Sequence, residues 1–353
     1  MTDSGNRQTQ PVMVKRHPHM MSIVLNRPKA LNSLNPQMIG LIRGALEEAS
    51  DDKRVQYVLL YGQGGKGFCA GGDIKELARA VREQHIDEAL HFLRQEYELD
   101  LFIHDFCKPV LVMADGITMG GGLGLCAGAD LVLATERTRM AMPESRIGFF
   151  PDVGATGWMF SKTPKGYPEY LGLTGYEMQG EECVRLGMAT DLVAGSNLPS
   201  VIQTLEDPSS FDRRMDIADQ LREKLKPFFK PTPASHLDKD QWVTAYFSGQ
   251  DSVSGIVDSL RQCNLHQELC QDVFSSLAER SPTSLVLTLT LLRRNASLPL
   301  SQVFENDLRA AQFILSHPDF LEGIRSRLID KDNQPQWKPS RLEEVDLKGL
   351  SLL

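Results

Sequence analysis

The residues best suited to chemistry in this chain gather in three stretches. The first is Lys66-Gly67-Phe68-Cys69-Ala70-Gly71-Gly72-Asp73-Ile74. It reads as a strand end, a glycine turn and a helix start at Asp73. Such a turn exposes backbone N–H groups, and the helix N-terminus adds positive potential. The second is Asp115-Gly116-Ile117-Thr118-Met119-Gly120-Gly121-Gly122-Leu123-Gly124. Three successive glycines opening a helix let a ligand approach the backbone closely. Two such turns, each after a buried strand, can aim two N–H groups at one carbonyl oxygen, the geometry of an oxyanion hole. The third runs from Met142-Pro143-Glu144-Ser145-Arg146 to Asp152-Val153-Gly154 and carries two carboxylates, Glu144 and Asp152, in an apolar, proline- and glycine-bearing setting. An apolar setting raises a carboxyl pKa and makes the group a usable acid or base. Each stretch also has a plainer reading: a tight turn, close helix–strand packing, and a capping Asp beside a Glu paired with Arg146.

The elements around these stretches follow from periodicity. Residues 19–25 form a short apolar run ended by Asn26-Arg27-Pro28, a strand and a turn. Asn35-Pro36 reads as N-cap and first helical residue, followed by apolar residues at helical spacing through Ala49. Residues 55–61 are a buried-type strand, and 62–72 a loop with six glycines. Residues 86–105 form a long amphipathic helix with Leu90, Leu93, Tyr97 and Leu101 on one face. Strands at 109–114 and 130–134 flank a short helix opened by the glycine triple. This alternation predicts an α/β core with ligand loops at the carboxyl ends of strands. From about residue 196 helical patterns dominate, and residues 209–240 read as a polar, proline-bearing insertion or linker.

Composition narrows the function classes. The chain has 353 residues, 24% charged and 41% hydrophobic, with a net charge of −8. That is an ordinary globular mix with ample chain for a core. Its acidity argues against broad nucleic-acid or anionic-membrane binding. No apolar stretch reaches the ~18 residues of a membrane span, and the polar start lacks the apolar core of a secretory signal. The six cysteines, with no CxxC pair, read as buried reduced thiols of a cytoplasmic chain. No metal-ligand set is expected.

Taken together, the motifs resemble the crotonase (enoyl-CoA hydratase/isomerase) superfamily. The matching pieces are Asn26-Arg27-Pro28-Lys29-Ala30-Leu31-Asn32, residues 68–74, residues 116–122 and Pro143-Glu144, with Leu173-Thr174-Gly175 and Ala189-Thr190-Asp191-Leu192-Val193. Within the superfamily the chain is most similar to the branch that hydrolyses 3-hydroxyacyl-CoA thioesters, 3-hydroxyisobutyryl-CoA foremost. Gly116-Ile117-Thr118-Met119-Gly120-Gly121-Gly122, Met142-Pro143-Glu144, Phe150-Pro151-Asp152-Val153-Gly154, Glu96-Tyr97, Ser281-Pro282-Thr283-Ser284 and Ile329-Asp330-Lys331-Asp332 carry that likeness.

The resemblance implies an α/β fold of ββα units wound into a spiral over residues 14–195, a polar tail at 1–13 and a mainly helical region at 196–353. It implies oxyanion donors at Gly72 and Gly121, catalytic carboxylates at Glu144 and Asp152, and substrate contacts at Glu96, Gly121, Glu144 and Asp152. CoA would lie along Lys29, Ala30, Leu31, Ala70, Asp73 and Ile74, with Lys29 and Lys66 as phosphate contacts. Superfamily hydratases use two glutamates. The position of the first is Gly124 here, which moves the expectation from hydration to thioester hydrolysis. The resemblance implies no cofactor beyond the substrate's own CoA, valine breakdown as the setting, and a homo-oligomer, trimer or hexamer, as a family habit. Two other readings stay open: an enoyl-CoA hydratase or isomerase, and a non-catalytic acyl-CoA- or partner-binding protein. Arg146, and Ala155-Thr156-Gly157-Trp158-Met159 after Gly154, depart from the branch and put acyl specificity in question.

Overall fold

A computed structural model describes residues 10–207, 216–231, 234–263 and 266–353. Its strands are β1 (Val12–Arg16), β2 (Met20–Leu25), β3 (Tyr57–Gly62), β4 (Gly67–Cys69), β5 (Val110–Ala114), β6 (Ile117–Met119), β7 (Leu131–Ala134), β8 (Arg139–Ala141), β9 (Met178–Gln179) and β10 (Asp191–Leu192). The helices up to the last strand are α1 (Pro36–Asp51), α2 (Ile74–Arg82), α3 (Ile86–His104), α4 (Gly121–Ala127), α5 (Ala155–Lys162), α6 (Tyr167–Thr174) and α7 (Glu181–Arg185). After it come α8 (Leu198–Glu206), α9 (Ile217–Leu225), α10 (Leu237–Phe247), α11 (Val253–Arg261), α12 (Gln267–Ala278), α13 (Pro282–Asn295), α14 (Leu300–Leu315) and α15 (Pro318–Ile324).

Two sheets stand side by side. One has the order β1-β2-β3-β5-β7-β10, parallel except for β1; the other has the order β4-β6-β8-β9. Each strand of the first sheet from β3 to β7 is followed by a short strand of the second, then by helix or turn. That is the expected ββα winding. The long strands read as unbroken apolar runs because both faces are covered. Val58, Leu60, Val112 and Val132 face the main core, whereas Tyr57, Leu59, Leu111 and Leu133 face a second cluster closed by Val201 and Leu205 of α8 and Leu221 and Leu225 of α9.

Local signals held where they were strong. The Asn35 side chain accepts from the Met38 N–H, with Pro36 at the first helical position, so α1 begins as its sequence dictates. Weak signals were lost. The glycine loop at 62–72 contains β4, and β6 and β8 also escaped notice, because three-residue strands show no periodicity. β1 starts at Val12, inside the stretch expected as a tail; residues 1–9 lie outside the described residues. The expected linker at 209–240, of which 209–215 and 232–233 lie outside the described residues, includes α9. The bridge Val193–Phe229 also ties it to the sheet. The cysteine expectation needs correction. Cys69, Cys126 and Cys183 are buried thiols, but Cys107 is exposed and Cys263 is bonded to Cys270. Cys263 precedes α12 and Cys270 lies near its start, a pairing that CxxC spacing does not reveal.

Candidate active site

A cavity of about 870 Å³ opens where the first two motifs meet the third. Lys29, Ala30, Leu31, Ala70, Gly72, Asp73, Ile74, Glu96, Gly121, Glu144 and Asp152 all line it. Lys66 does not line it. Arg27, Arg146 and Arg327 join Lys29 there, so this acidic chain gathers cations around one cleft.

The first glycine turn is fastened from both sides. The Leu34 N–H donates to the Gly71 carbonyl at 2.8 Å, and the Asp73 N–H to the Leu34 carbonyl at 2.7 Å. The Asp73 side chain does not cap α2. It pairs with Arg27 at 3.0 Å, and Arg27 also donates to the Ser33 carbonyl, so the turn before α1 is tied to the glycine turn. Gly71 has φ +94°, a conformation that favours glycine, and a Cβ there would lie 3.2 Å from the Gly121 nitrogen. A Cβ on Gly121 would lie 3.3 Å from the Gly72 nitrogen. The two turns therefore abut. Neither the Gly72 nor the Gly121 N–H donates to a backbone carbonyl among the described residues.

The carboxylates close over these turns. Glu96, on α3, is only 2% exposed and is not the solvated helix-face glutamate its sequence suggests. Its Oε1 would be 2.0 Å from a Cβ on Gly121, so glycine there makes room for the acid. Glu144 begins a short 3-10 turn after β8, and its Oε1 would be 2.8 Å from a Cβ on Gly120. It makes no ion pair with Arg146. Asp152 does not act as a side-chain cap for α5; its Oδ2 accepts from the Tyr97 hydroxyl at 2.7 Å. The next residue, Val153, is held at φ +51°, a costly conformation for a β-branched side chain. Two bonds hold that turn. The Trp158 indole N–H donates to the Val153 carbonyl, and the Gly154 N–H to Asp307 Oδ2 at 2.8 Å.

Five buried carboxyls result: Glu96, Asp100, Glu144, Asp152 and Asp307. Among the described residues none of them is paired with a cation. Burial, which disfavours the charged form, pushes the Asp152 carboxyl up to about 6, with the Tyr97 hydroxyl and its own backbone N–H pulling it down. Burial and then the Asp152 charge hold Glu96 and Glu144 well above the usual carboxylate range. Burial does the same for Asp100, with Glu96 and Asp152 adding to it, and for Asp307 against the pull of the Gly154 N–H. These groups share fewer charges than they have carboxyls, so protons are held inside the site. Chemically the arrangement offers two N–H donors for an oxygen gaining charge, with acids and bases beside them.

Sequence reasoning did not reach Tyr97, Asp100 or Asp307 as members of the cluster. Asp100 left a trace, since it falls seven residues after Leu93, on the apolar stripe of α3. Asp307 left another, an acid among Val303, Phe304, Ala310 and Ala311 on the buried face of α14.

Residues 20–351 match the enoyl-CoA hydratase/isomerase family. The chain is 39% identical to the 3-hydroxyisobutyryl-CoA hydrolase, mitochondrial, of Xenopus tropicalis, over 92% of this chain and 83% of that protein. A carnitinyl-CoA dehydratase structure from Mycobacterium thermoresistibile superposes with a TM-score of 0.86 at 32% identity, covering 97% of this chain and 95% of that one. An enoyl-CoA hydratase from Rhodobacter sphaeroides 2.4.1 gives 0.84 at 30%, covering 96% of each.

Proposed function

The chain belongs to the enoyl-CoA hydratase/isomerase family, and from that premise we propose that it hydrolyses a short 3-hydroxyacyl-CoA thioester, 3-hydroxyisobutyryl-CoA foremost, to the free acid and CoA. The observation that carries the reading is Glu144, buried beside two abutting glycine turns whose N–H groups are uncommitted, with a second carboxyl, Asp152, at the same cavity. The Xenopus tropicalis relative bears that substrate and reaction in its name.

In the proposed sequence, the thioester oxygen lies between the Gly72 and Gly121 N–H groups. Glu144 attacks the carbonyl carbon, and the oxyanion that forms is stabilised by both donors, each worth about 2.7–4 kcal/mol by analogy with oxyanion-hole deletions. The C–S bond breaks, the sulfur takes a proton from Asp152, and a mixed anhydride remains on Glu144. Water then attacks the anhydride while Asp152 takes its proton, releasing the acid and restoring Glu144. This needs the charge on Glu144 and the proton on Asp152. It is one tautomer of a pair that shares a proton. Glu96 accepts the substrate's 3-hydroxyl, so an acyl group without it leaves a buried polar group unpaired and is rejected. CoA runs along Lys29, Ala30, Leu31, Ala70, Asp73 and Ile74, with Lys29, Arg146 and Arg327 facing its phosphates.

The setting proposed is valine breakdown, since 3-hydroxyisobutyryl-CoA is the substrate. No helix among the described residues is long and apolar enough to cross a membrane. Four free thiols stand beside the Cys263–Cys270 disulfide, so cysteine usage does not assign the compartment; cytoplasm was the expectation, whereas the Xenopus tropicalis relative is named mitochondrial, and cell fractionation decides.

A second reading, hydration of an enoyl-CoA, draws on the printed names of the two solved structures. Against it, α4 has glycine at 124, and a Cβ there would already meet Asp100 Oδ2 at 2.4 Å. One assay tests both readings. Thiol release is followed with 3-hydroxyisobutyryl-CoA, isobutyryl-CoA and crotonyl-CoA, with Glu144→Gln as control. Release confined to the hydroxylated ester and lost by about 10²–10⁴-fold in the control is expected. Consumption of crotonyl-CoA without thiol release would return the protein to hydration.

A further inference from the structure

Asp100 has no part in the steps above, yet it is one of the most confined carboxyls in the molecule. It is 3% exposed, and neither carboxyl oxygen has a hydrogen-bond partner. It lies one helical turn after Glu96 on α3, and Glu96 Oε1 is likewise buried without a partner. The two acids rest against one face of α4. A Cβ on Gly121 would be 2.0 Å from Glu96 Oε1, and a Cβ on Gly124 would be 2.4 Å from Asp100 Oδ2. Positions 121 and 124 are themselves one turn apart, so α4 seats both carboxyls in register; the Cβ atoms of helix residues one turn apart lie about 5–6 Å from one another. At that spacing a single water can join two acids.

An ionised carboxylate so placed, with neither cation nor donor, costs several kcal/mol. The titratable groups facing it are Glu96 on its own helix, Asp152 before α5, Cys69 on β4 and Cys126 on α4. None of these supplies positive charge, and the carboxyl is held well above its usual range. Glu96, unlike Asp100, lines the cavity.

We propose that Asp100 is a positioning residue: a neutral acid whose O–H donates toward Glu96 through one water, and so keeps Glu96 oriented as the acceptor of the substrate hydroxyl. This rests on the hydrolase reading above, and deepens it by naming what sets the preference for a hydroxylated acyl group. Asp100 touches no substrate; it acts through Glu96.

The test compares the wild type with Asp100→Asn, which keeps a neutral donor, and Asp100→Leu, which fills similar space without one. The first readout is the infrared difference spectrum, wild type minus Asp100→Asn, at neutral pH. The carbonyl-stretch band of a protonated carboxylic acid is expected, and its absence overturns the proposal whatever the activity. The second is the ratio of kcat/KM for 3-hydroxyisobutyryl-CoA to that for isobutyryl-CoA. Asp100→Asn should keep the wild-type preference, whereas Asp100→Leu should lose it by about tenfold, as expected for one hydrogen bond. Equal losses on both esters, or a loss in Asp100→Asn matching that in Asp100→Leu, would assign Asp100 a merely structural or charge-bearing role and refute the proposal. A wild type that releases no thiol from either ester refutes the hydrolase reading and with it the positioning of a substrate hydroxyl, while the infrared band still reports separately whether Asp100 is neutral.

Discussion

Replacing Asp152 by Asn should remove one carboxyl's share of the pH dependence of stability, and the size of that share follows from its own shift. Burial lifts Asp152 from 3.8 to about 6 in the folded chain. Below pH 3.8 the group is protonated in both folded and unfolded states and contributes nothing. Between 3.8 and 6 the unfolded chain releases its proton while the folded chain keeps it, so stability falls as pH rises; above 6 the loss is complete. At about 1.4 kcal/mol per pH unit, the interval amounts to roughly 3 kcal/mol. From about pH 4.5 to about pH 7.5, roughly 2 kcal/mol of it should be lost. Urea unfolding of wild type and Asp152→Asn at both pH values measures this as a difference of differences. The amide's own cost does not titrate, so it cancels. The variant should lose about 2 kcal/mol less than the wild type across that range. An identical loss in both proteins would mean that Asp152 titrates as an ordinary carboxyl, and that burial in this cavity does not govern its charge.

Three further outcomes follow from the same cluster. Tyr97→Phe removes the donor to Asp152 Oδ2, a bond to a charged group worth about 1.5–3 kcal/mol, so the alkaline limb of the kcat/KM profile should move up by about 1–2 pH units; an unmoved limb with lower kcat would make Tyr97 a packing residue. Gly124→Glu should not create a hydratase, because its Cβ meets Asp100 Oδ2; it should destabilise the fold by about 3 kcal/mol or more in urea melts, partly recovered by adding Asp100→Ala. Phe304→Ala should let water reach Tyr97, whose ring it stacks on at 5.7 Å between centroids, and bring the Asp152 carboxyl down from about 6, seen as an alkaline limb shifted to lower pH.

What the sequence revealed of this site was what local geometry dictates. Gly72 and Gly121 stand in turns that adjacent residues specify, and Pro143-Glu144 lies in a fixed relation to a strand end. Spacing alone left the glycine turns and Glu144 open between a plain and a functional reading, and the resemblance supplied their roles. Glu96 came from the resemblance alone, since a glutamate on an amphipathic helix looks solvated until the covering element is known. Tyr97, Asp100 and Asp307 were not readable as a group. The contact between Tyr97 and Phe304 spans more than half the chain, and a hydrogen bond from Gly154 to Asp307 leaves no local pattern at either end. The short strands of the second sheet were missed for the opposite reason. They are local, but three residues are too few to show alternation, and their pairing with distant strands is what makes them strands.

The C-terminal helices also change how the chemistry should be understood. They look like an appendage to a complete α/β spiral, but they hold the two loops that carry the acids. A Cβ on Gly148 would strike the Asp319 carbonyl at 2.1 Å, and one on Gly323 the Ile147 carbonyl carbon at 2.3 Å, so α15 is locked against the turn that bears Glu144. Asp307 of α14 fixes the left-handed turn after Asp152, and Phe304 covers Tyr97. These contacts hold the loops in which Glu144 and Asp152 are buried, and burial is the first cause of the raised Asp152 carboxyl. With them, the acids are too confined to carry all their charges, and protons are held where a leaving sulfur would need one. In the proposed mechanism the helical region therefore contributes no attacking group. It sets the protonation states of groups contributed by the spiral, and it does so by excluding water.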